Sequence, residues 1–409
     1  MKIERPRGTN DILPTQTPLW RKVREEIDAV ARAYRYRWIR TPAFEDTDLF
    51  QRTSGRGSDV VQKEMYTFPD KSGRSLTLRP EATAPICRAY VEHGMQREPQ
   101  PVKLYTVDTM YRYSAPQRGR YREFWQLSIE AIGSDDPGVD AEVIQLYVEL
   151  LRRLGVTPWE LALNSIGDRN CRPQYVERLN EWLDAHAEVL DAEARQKRAT
   201  SPLRVFDVKN ERVREALRGA PKIGDSLCDA CAEHFAQVRS YLDAYGIPYR
   251  LDATLVRGLD YYTRTAFEFV GPDEGTQASA ISGGGRYDYL IEEIGGPPTP
   301  AIGFGAGIER LVLSLGRERV RAQEEPLEVF FAFERPELRD RILPLLAQLR
   351  VHGRSADTDY AGRSLKGQLT YAQRRGAATV VIVKEDGFEV RRRGEEDRLL
   401  ADPQELIRL

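Results

Sequence analysis

Two runs of strand-like alternation, 102–112 and 122–132, stand on either side of a polar loop at 113–121. Alternation with period two marks a half-buried strand. The pair therefore reads as two antiparallel strands joined by a long arginine-rich loop. On the second strand, positions 124, 126, 128 and 130 share one face, which presents Phe124, Gln126 and Glu130 together. Arg112 closes the first strand, and Arg118, Arg120 and Arg122 lie in or beside the loop. An arginine facing phosphate offers charge-assisted, often bidentate hydrogen bonds. A solvated hairpin is the plainer alternative, but it leaves Arg112 and Glu130 unexplained beside Phe124 and Ile129.

Around this hairpin the chain changes character twice. Residues 18–37 have helical spacing, 74–79 alternate as a strand, 82–93 read as a helix, and 139–154 form an amphipathic helix ended by Gly155. Residues 168–245 are rich in Glu, Arg and Ala and poor in strand signals, and read as an inserted helical module. Strand signals resume at 248–270 and 279–287, and 301–316 reads as a strand running into a helix. The charged segment 317–326 lacks a core pattern and marks a boundary. Beyond it, strands at 327–333, 378–384 and 388–393 and helices at 336–350 and 363–375 suggest a small α/β domain. The expected organisation is one domain over 1–325, carrying the insertion at 168–245, and a second over 326–409.

The chain has 409 residues, 41% of them hydrophobic and 30% charged, which suits a soluble protein of two or three domains. Its apolar runs are too short to cross a bilayer. Residues 1–6 carry no apolar stretch resembling a secretory signal, so the expectation is a cytoplasmic protein with no membrane association. The net charge of −2 neither supports nor excludes a nucleic-acid partner, whose contacts must come from local clusters such as Arg118, Arg120 and Arg122. Four cysteines, Cys87, Cys171, Cys228 and Cys231, are too few for a disulfide scaffold. Cys228 and Cys231 with His234 supply three potential metal ligands, one short of a structural zinc set, and Cys171 is the sole distant cysteine partner. Reduced thiols are the expectation, and no metal ligand is assigned.

Three further strings carry chemistry. In Leu78–Thr83, Leu-Arg-Pro-Glu-Ala-Thr, Glu81 and Thr83 would point the same way on an extended chain and could hold an ammonium group. A helix cap is the alternative, and from the residues alone the commoner one. In Leu255–Thr263, Arg257 is followed by Tyr261 and Tyr262, a cation and two aromatic hydroxyls. The glycine-rich strings Ser282–Asp288 and Gly303–Arg310 allow close backbone approach to a ligand. The latter lacks the Gly-x-Gly-x-x-Gly spacing of a Rossmann phosphate loop.

Taken in order along the chain, these strings resemble the histidyl-tRNA synthetases, a family of class II aminoacyl-tRNA synthetases. The resemblance implies an α+β fold: an antiparallel-sheet catalytic domain with a helical insertion, and a C-terminal α/β anticodon-binding domain. It implies that Arg257 and Arg112 are catalytic at the α-phosphate of ATP. Glu81, Thr83, Gln126, Glu130, Tyr261 and Tyr262 would bind histidine, and Arg112, Arg120, Phe124 and Arg310 would bind ATP. Mg²⁺ would accompany the triphosphate, tRNA(His) would be the second substrate, and the segment Pro42–Phe50 resembles the element through which class II enzymes form homodimers. Departures from the family pattern fall at Ala82, Ser114-Ala115 and Tyr289. The alternative is the catalytically silent relative that serves as regulatory subunit of ATP phosphoribosyltransferase in histidine biosynthesis. It typically lacks the C-terminal domain and an intact Arg-Gly-Leu-Asp-Tyr-Tyr string.

Overall fold

The structure, a computed structural model, describes all residues except 1, 56, 57, 59, 117, 118, 272–279, 318–326, 393, 403, 404 and 406–409, and not the side chains of 316 and 317. Arg118 and nearly all of the expected boundary segment thus lie outside the described residues. The chain divides into two compact units, Met1–Arg321 and Ala322–Leu409.

The first unit runs α1 (Thr17–Ala33), β1 (Arg37–Trp38), β2 (Phe44–Asp46), α2 (Thr47–Thr53), β3 (Tyr66–Pro69), β4 (Ser75–Leu78), α3 (Thr83–Glu92), β5 (Val102–Tyr111), β6 (Glu123–Ile132), α4 (Pro137–Leu154) and β7 (Glu160–Ser165). The insertion follows as α5 (Arg172–Ala185), α6 (Ala192–Thr200), α7 (Glu211–Ala216) and α8 (Asp229–Ala244), linked by short 3₁₀ turns. The chain then returns through β8 (Arg250–Leu251), β9 (Thr263–Val270), β10 (Ala280–Arg286), α9 (Leu290–Glu293), β11 (Ala301–Gly307) and α10 (Ile308–Arg317).

Eight strands form one sheet in the order β1-β5-β6-β11-β10-β9-β7-β8. Its six inner strands pair antiparallel, and only the edge strands β1 and β8 pair in parallel. The hairpin read from sequence is the β5–β6 pair, in register from Val102–Ile132 to Tyr111–Glu123. Alternation sorts its residues: Leu127, Ile129 and Ala131 join Phe267, Phe269 and Phe304 in a core with α1, α4, α8 and α10. On the opposite face, Ile132 packs with Ile86 and Tyr90 of α3 and with Tyr175, Leu179 and Leu183 of α5. That second face also carries the polar residues described below. Local chemistry sets the helix limits: Asp136 caps α4 through the Gly138 amide at 2.7 Å, and Gly155 closes it with φ +70°.

One expectation fails here. The stretch 248–270 is not a continuous strand; Asp252–Tyr262 loops between β8 and β9. The string carrying Arg257, Tyr261 and Tyr262 is thus free to turn its side chains inward instead of alternating across a sheet.

The second unit comprises β12 (Val329–Phe333), α11 (Arg339–Val351), β13 (Ala356–Thr358), α12 (Leu365–Arg374), β14 (Thr379–Val383), β15 (Phe388–Arg392) and β16 (Arg398–Leu400). Its five-stranded sheet, ordered β13-β12-β14-β15-β16, is parallel at β13-β12-β14 and antiparallel beyond. Residues alternate along β12 between Val329, Phe331 and Phe333 on one apolar layer and Phe330 and Ala332 on the other. The strand is buried on both faces, as parallel sheets require. Among the described residues, no helix is long and apolar enough to cross a membrane.

Candidate active site

A small polar pocket is built on the face of β6 turned toward α3. Glu130 is fully buried. Thr83 Oγ1 donates to its Oε1 at 2.7 Å, and the Tyr287 hydroxyl donates to its Oε2. Burial pushes the Glu130 carboxyl up to about 8, only partly offset by the Tyr287 and Thr83 hydrogen bonds, and the neighbouring Glu81 adds to the rise. Burial also raises Glu81, against the opposing pull of two amide bonds and Arg112. Among the described residues, neither carboxyl has a basic side chain within ion-pair distance. Two buried acids without a counter-ion call for a ligand that brings positive charge and N–H donors.

Glu81 and Thr83 do not sit side by side on an extended chain. Helix α3 begins at Thr83, and Glu81 caps it, accepting from the amides of Thr83 at 2.7 Å and Ala84 at 2.9 Å. The cap reading and the pocket reading meet, because capping fixes Glu81 beside Glu130 and points the Thr83 hydroxyl at it. Gln126 shares the face and donates to Ser128 at 2.8 Å. Tyr261 closes another side, its ring 4.6 Å from Tyr262 and 5.7 Å from Tyr287. Gly303, paired with Glu130 across the β11–β6 ladder, must be bare: an added Cβ would overlap the Glu130 carboxyl and the Ile129 carbonyl.

Next to this pocket lies a group of arginines. Arg112 Nε donates to the Pro80 carbonyl at 2.7 Å, with its guanidinium 5.4 Å from the Phe124 ring. Arg257 pairs with Glu268 at 2.6 Å and lies 5.9 Å from the Tyr262 ring. Its guanidinium occupies the space that a side chain at Gly283 would need. Arg310 Nε donates to the Gly119 carbonyl at 3.3 Å, so α10 touches the arginine loop. The preceding Glu309 accepts from the Trp125 amide at 2.8 Å, which locks the start of α10 onto β6. Burial depresses the Arg310 guanidinium, and repulsion from Arg120 and Arg112 depresses it further. Among the described residues, Arg112, Arg120 and Arg310 have no carboxylate within ion-pair distance. Three cations close enough to disfavour one another, without counter-ions, form a seat for a polyanion.

The structure thus brings Arg112, Arg120, Phe124, Arg257 and Arg310 together beside Glu81, Thr83, Gln126, Glu130, Tyr261 and Tyr262, while Arg118 lies outside the described residues. It also adds two that sequence reasoning missed. Tyr287 lies in the quoted string Ser282–Asp288 but carried no role, and Glu268 is an acid inside an apolar strand, a signal in itself. Arg122 is engaged internally, its amide on the Gly8 carbonyl at 2.7 Å and its guanidinium 3.8 Å from the Tyr113 ring. Tyr289, where the family usually has glycine, lies under Arg169 at 3.6 Å.

Apart from this pocket, Asp168, Cys171, Cys228 and Cys231 converge, their ligand atoms all within 4.8 Å of one another. His234, weighed above with these cysteines, is not part of the group. Its Nε2 bonds Asp140 at 2.8 Å, in a buried network with Thr265 and Arg286.

A family model described as Histidyl-tRNA synthetase matches residues 8–311. The chain belongs to this family. It is 49% identical to the histidine–tRNA ligase of Desulforudis audaxviator over 95% of its own length and 92% of the relative's. It is 46% identical to that of Halothermothrix orenii, over 94% and 91%. Among solved structures it is similar to apo Staphylococcus aureus histidyl-tRNA synthetase, with TM-score 0.83, 37% identity and coverage of 100% and 99% of the two chains. A Bacillus halodurans protein described as an ATP phosphoribosyltransferase regulatory subunit/histidyl-tRNA synthetase is more distant, at TM-score 0.62, 25% identity and coverage of 89% and 94%. As a histidyl-tRNA synthetase family member, the chain has the α+β architecture expected from its sequence.

Proposed function

We infer that this protein is a histidine–tRNA ligase that activates histidine with ATP and transfers it to the 3′ end of tRNA(His). The observation that carries the reading is the adjacency of a doubly acidic, aromatic-walled pocket and three arginines, Arg112, Arg120 and Arg310, that have no carboxylate within ion-pair distance among the described residues. The first suits a small molecule with ammonium and imidazole groups, the second a triphosphate.

In the first step the histidine carboxylate oxygen attacks the α-phosphorus. The bond from that phosphorus to the bridging oxygen breaks, and pyrophosphate leaves. Arg257 and Arg112 hold the α-phosphate as negative charge builds on it, while Arg120 and Arg310 hold the outer phosphates and Phe124 stacks on adenine. Glu130, Glu81, Thr83, Gln126, Tyr261 and Tyr262 orient histidine. Positioning and charge stabilisation carry this chemistry, since the protein forms no bond to the reacting atoms. In the second step the terminal adenosine hydroxyl attacks the activated carbonyl, and AMP leaves.

Mg²⁺ would arrive with ATP and neutralise the outer phosphates. Glu268, which pairs with Arg257 at 2.6 Å, would supply a carboxylate to such an ion, which commonly takes one or two carboxylates besides phosphate. The domain at 326–409 binds the anticodon. The protein is cytoplasmic and acts as a homodimer through the Pro42–Phe50 region. In support, Phe44 and Phe68 are exposed, 49% and 39%, and pack edge to face at 6.4 Å on the small sheet β2-β4-β3.

The reading as a regulatory subunit is disfavoured because Arg257, Tyr261 and Tyr262 are intact and a second unit follows the first. Charging of tRNA(His) with labelled histidine tests the assignment. Acid-precipitable, histidine-specific product is expected; product formed with another amino acid, or none from an ATP-binding protein, overturns it.

A further inference from the structure

The group formed by Asp168, Cys171, Cys228 and Cys231 has no part in the chemistry above. Two residues separate the members of each pair, and the pairs come from opposite ends of the helical insertion. Asp168 and Cys171 lie in the loop from β7 to α5, where Cys171 is the residue immediately before the helix. Cys228 immediately precedes α8, and Cys231 sits in its first turn. Three of the four are buried, and Cys228 is partly so. We propose that these four side chains form a structural zinc site that clips both ends of the insertion to the catalytic sheet.

The donor set fits. Zinc takes thiolate and carboxylate ligands in tetrahedral sites, and four protein ligands leave no open position, the mark of a structural site. Soft thiolates select zinc over magnesium or calcium. Zn–S bonds of about 2.3 Å place tetrahedral sulfurs about 3.8 Å apart, so the ligand atoms need to close by only about 1 Å. Cys171 stands at the start of α5, and Cys228 and Cys231 at the start of α8, so all three sulfurs are held by helix N-termini.

The surroundings fit as well. Three thiolates, a carboxylate and Zn²⁺ leave two excess negative charges, and two arginines flank the group. Arg264 lies 3.7 Å from Asp168 Oδ2. Arg172 follows Cys171 and donates to the carbonyls of Ile166, Gly167 and Tyr262 at 3.2, 3.2 and 2.7 Å. Gly167 adopts φ +63°, and a Cβ there would come within 2.6 Å of the Cys171 sulfur. Bare backbone at that turn keeps the space beside the sulfur open.

The clip also reaches the histidine pocket. Arg264 and Gly167 are joined by an amide–carbonyl bond of 2.7 Å, and Arg172 holds the Tyr262 carbonyl. Tyr261 and Tyr262 therefore hang from the same turn that carries two of the ligands. The four residues act as positioning residues for the pocket and do not touch substrate.

The inference is independent of the assigned activity, and metal content tests it. The full-length protein, purified without metal-affinity chromatography after growth with added zinc, should contain close to one zinc per chain by mass spectrometry. A mercurial thiol reagent should release that zinc stoichiometrically into a chromophoric chelator, a measurement made on the wild type without any variant. Cobalt-loaded protein should show a thiolate-to-cobalt charge-transfer band. Cys228→Ser/Cys231→Ser should fall below a tenth of a zinc per chain, whereas Cys87→Ser, which is not a member of the group, and Asp168→Cys, which completes a four-thiolate set, should keep it. Less than a tenth of a zinc in the wild type, iron in its place, or full zinc in the double serine variant would each overturn the proposal.

Discussion

Glu130, proposed to read histidine, also bears on how stability responds to pH. Its carboxyl is protonated in both folded and unfolded chains at low pH. As pH rises past the ordinary value of 4.5 the unfolded chain loses this proton first, while the folded protein holds it to about 8. The unfolded state gains from ionisation earlier, so Glu130 makes stability fall between those limits. Glu130→Gln should remove this slope. Denaturation midpoints from pH 5 to 8.5 should decline more steeply for the wild type than for the variant; parallel profiles would mean that burial does not raise this carboxyl. The same substitution should weaken histidine more than ATP in separate titrations, because an amide cannot ionise to pair with the positive charge that a bound amino acid brings. Arg257→Ala should lower single-turnover adenylate formation by about 10²–10³-fold, the usual cost of one charge-stabilising partner, with thermal unfolding little changed. A rate within threefold of wild type contradicts the role given to Arg257.

At the scale of elements, the site depends on strands β10 and β11 staying bare. The Arg257 guanidinium crosses Gly283, and the Glu130 carboxyl crosses Gly303. The arginine is a long side chain that can give way, but Glu130 is fully buried and hydrogen-bonded at both oxygens. Gly303→Ala should therefore cost about 1–3 kcal/mol, as overpacking of a core does, and should abolish measurable histidine binding. Chemical denaturation and calorimetry would show this; a fully stable variant with normal affinity would mean that β11 can shift. These elements were unequally legible in the sequence. The β5–β6 hairpin and α4 were readable because alternation and a terminal Gly155 are local signals. The loop at 252–262 was not, since its apolar residues imitate a strand and only tertiary packing turns Tyr261 and Tyr262 inward. The short strands β1, β2, β13 and β16 carry too few residues to establish a period. Asp168 was missed because its partners Cys228 and Cys231 lie some sixty positions away and a lone aspartate carries no motif. Glu268 and Tyr287 were missed as site residues for the same reason, since their partners come from other strands.

At the scale of the whole molecule, the two compact units bury separate cores. All the residues proposed to bind histidine and ATP precede residue 311, so removing 326–409 should spare adenylate formation and sharply reduce charging of tRNA(His). The oligomeric state of the truncated protein is checked first, and a dimeric truncation that charges tRNA as well as the full chain contradicts the anticodon-binding role of the second unit. In the proposed reaction an acidic histidine pocket and an arginine-rich ATP seat act together. Pyrophosphate exchange into ATP tests that union most directly, because it requires both ligands and no tRNA. Exchange is expected with histidine and with none of the other nineteen amino acids, and the histidine-dependent rate should collapse in Arg257→Ala. Exchange that is absent with histidine in folded, ATP-binding protein, or that proceeds equally without histidine, would contradict the proposed reaction.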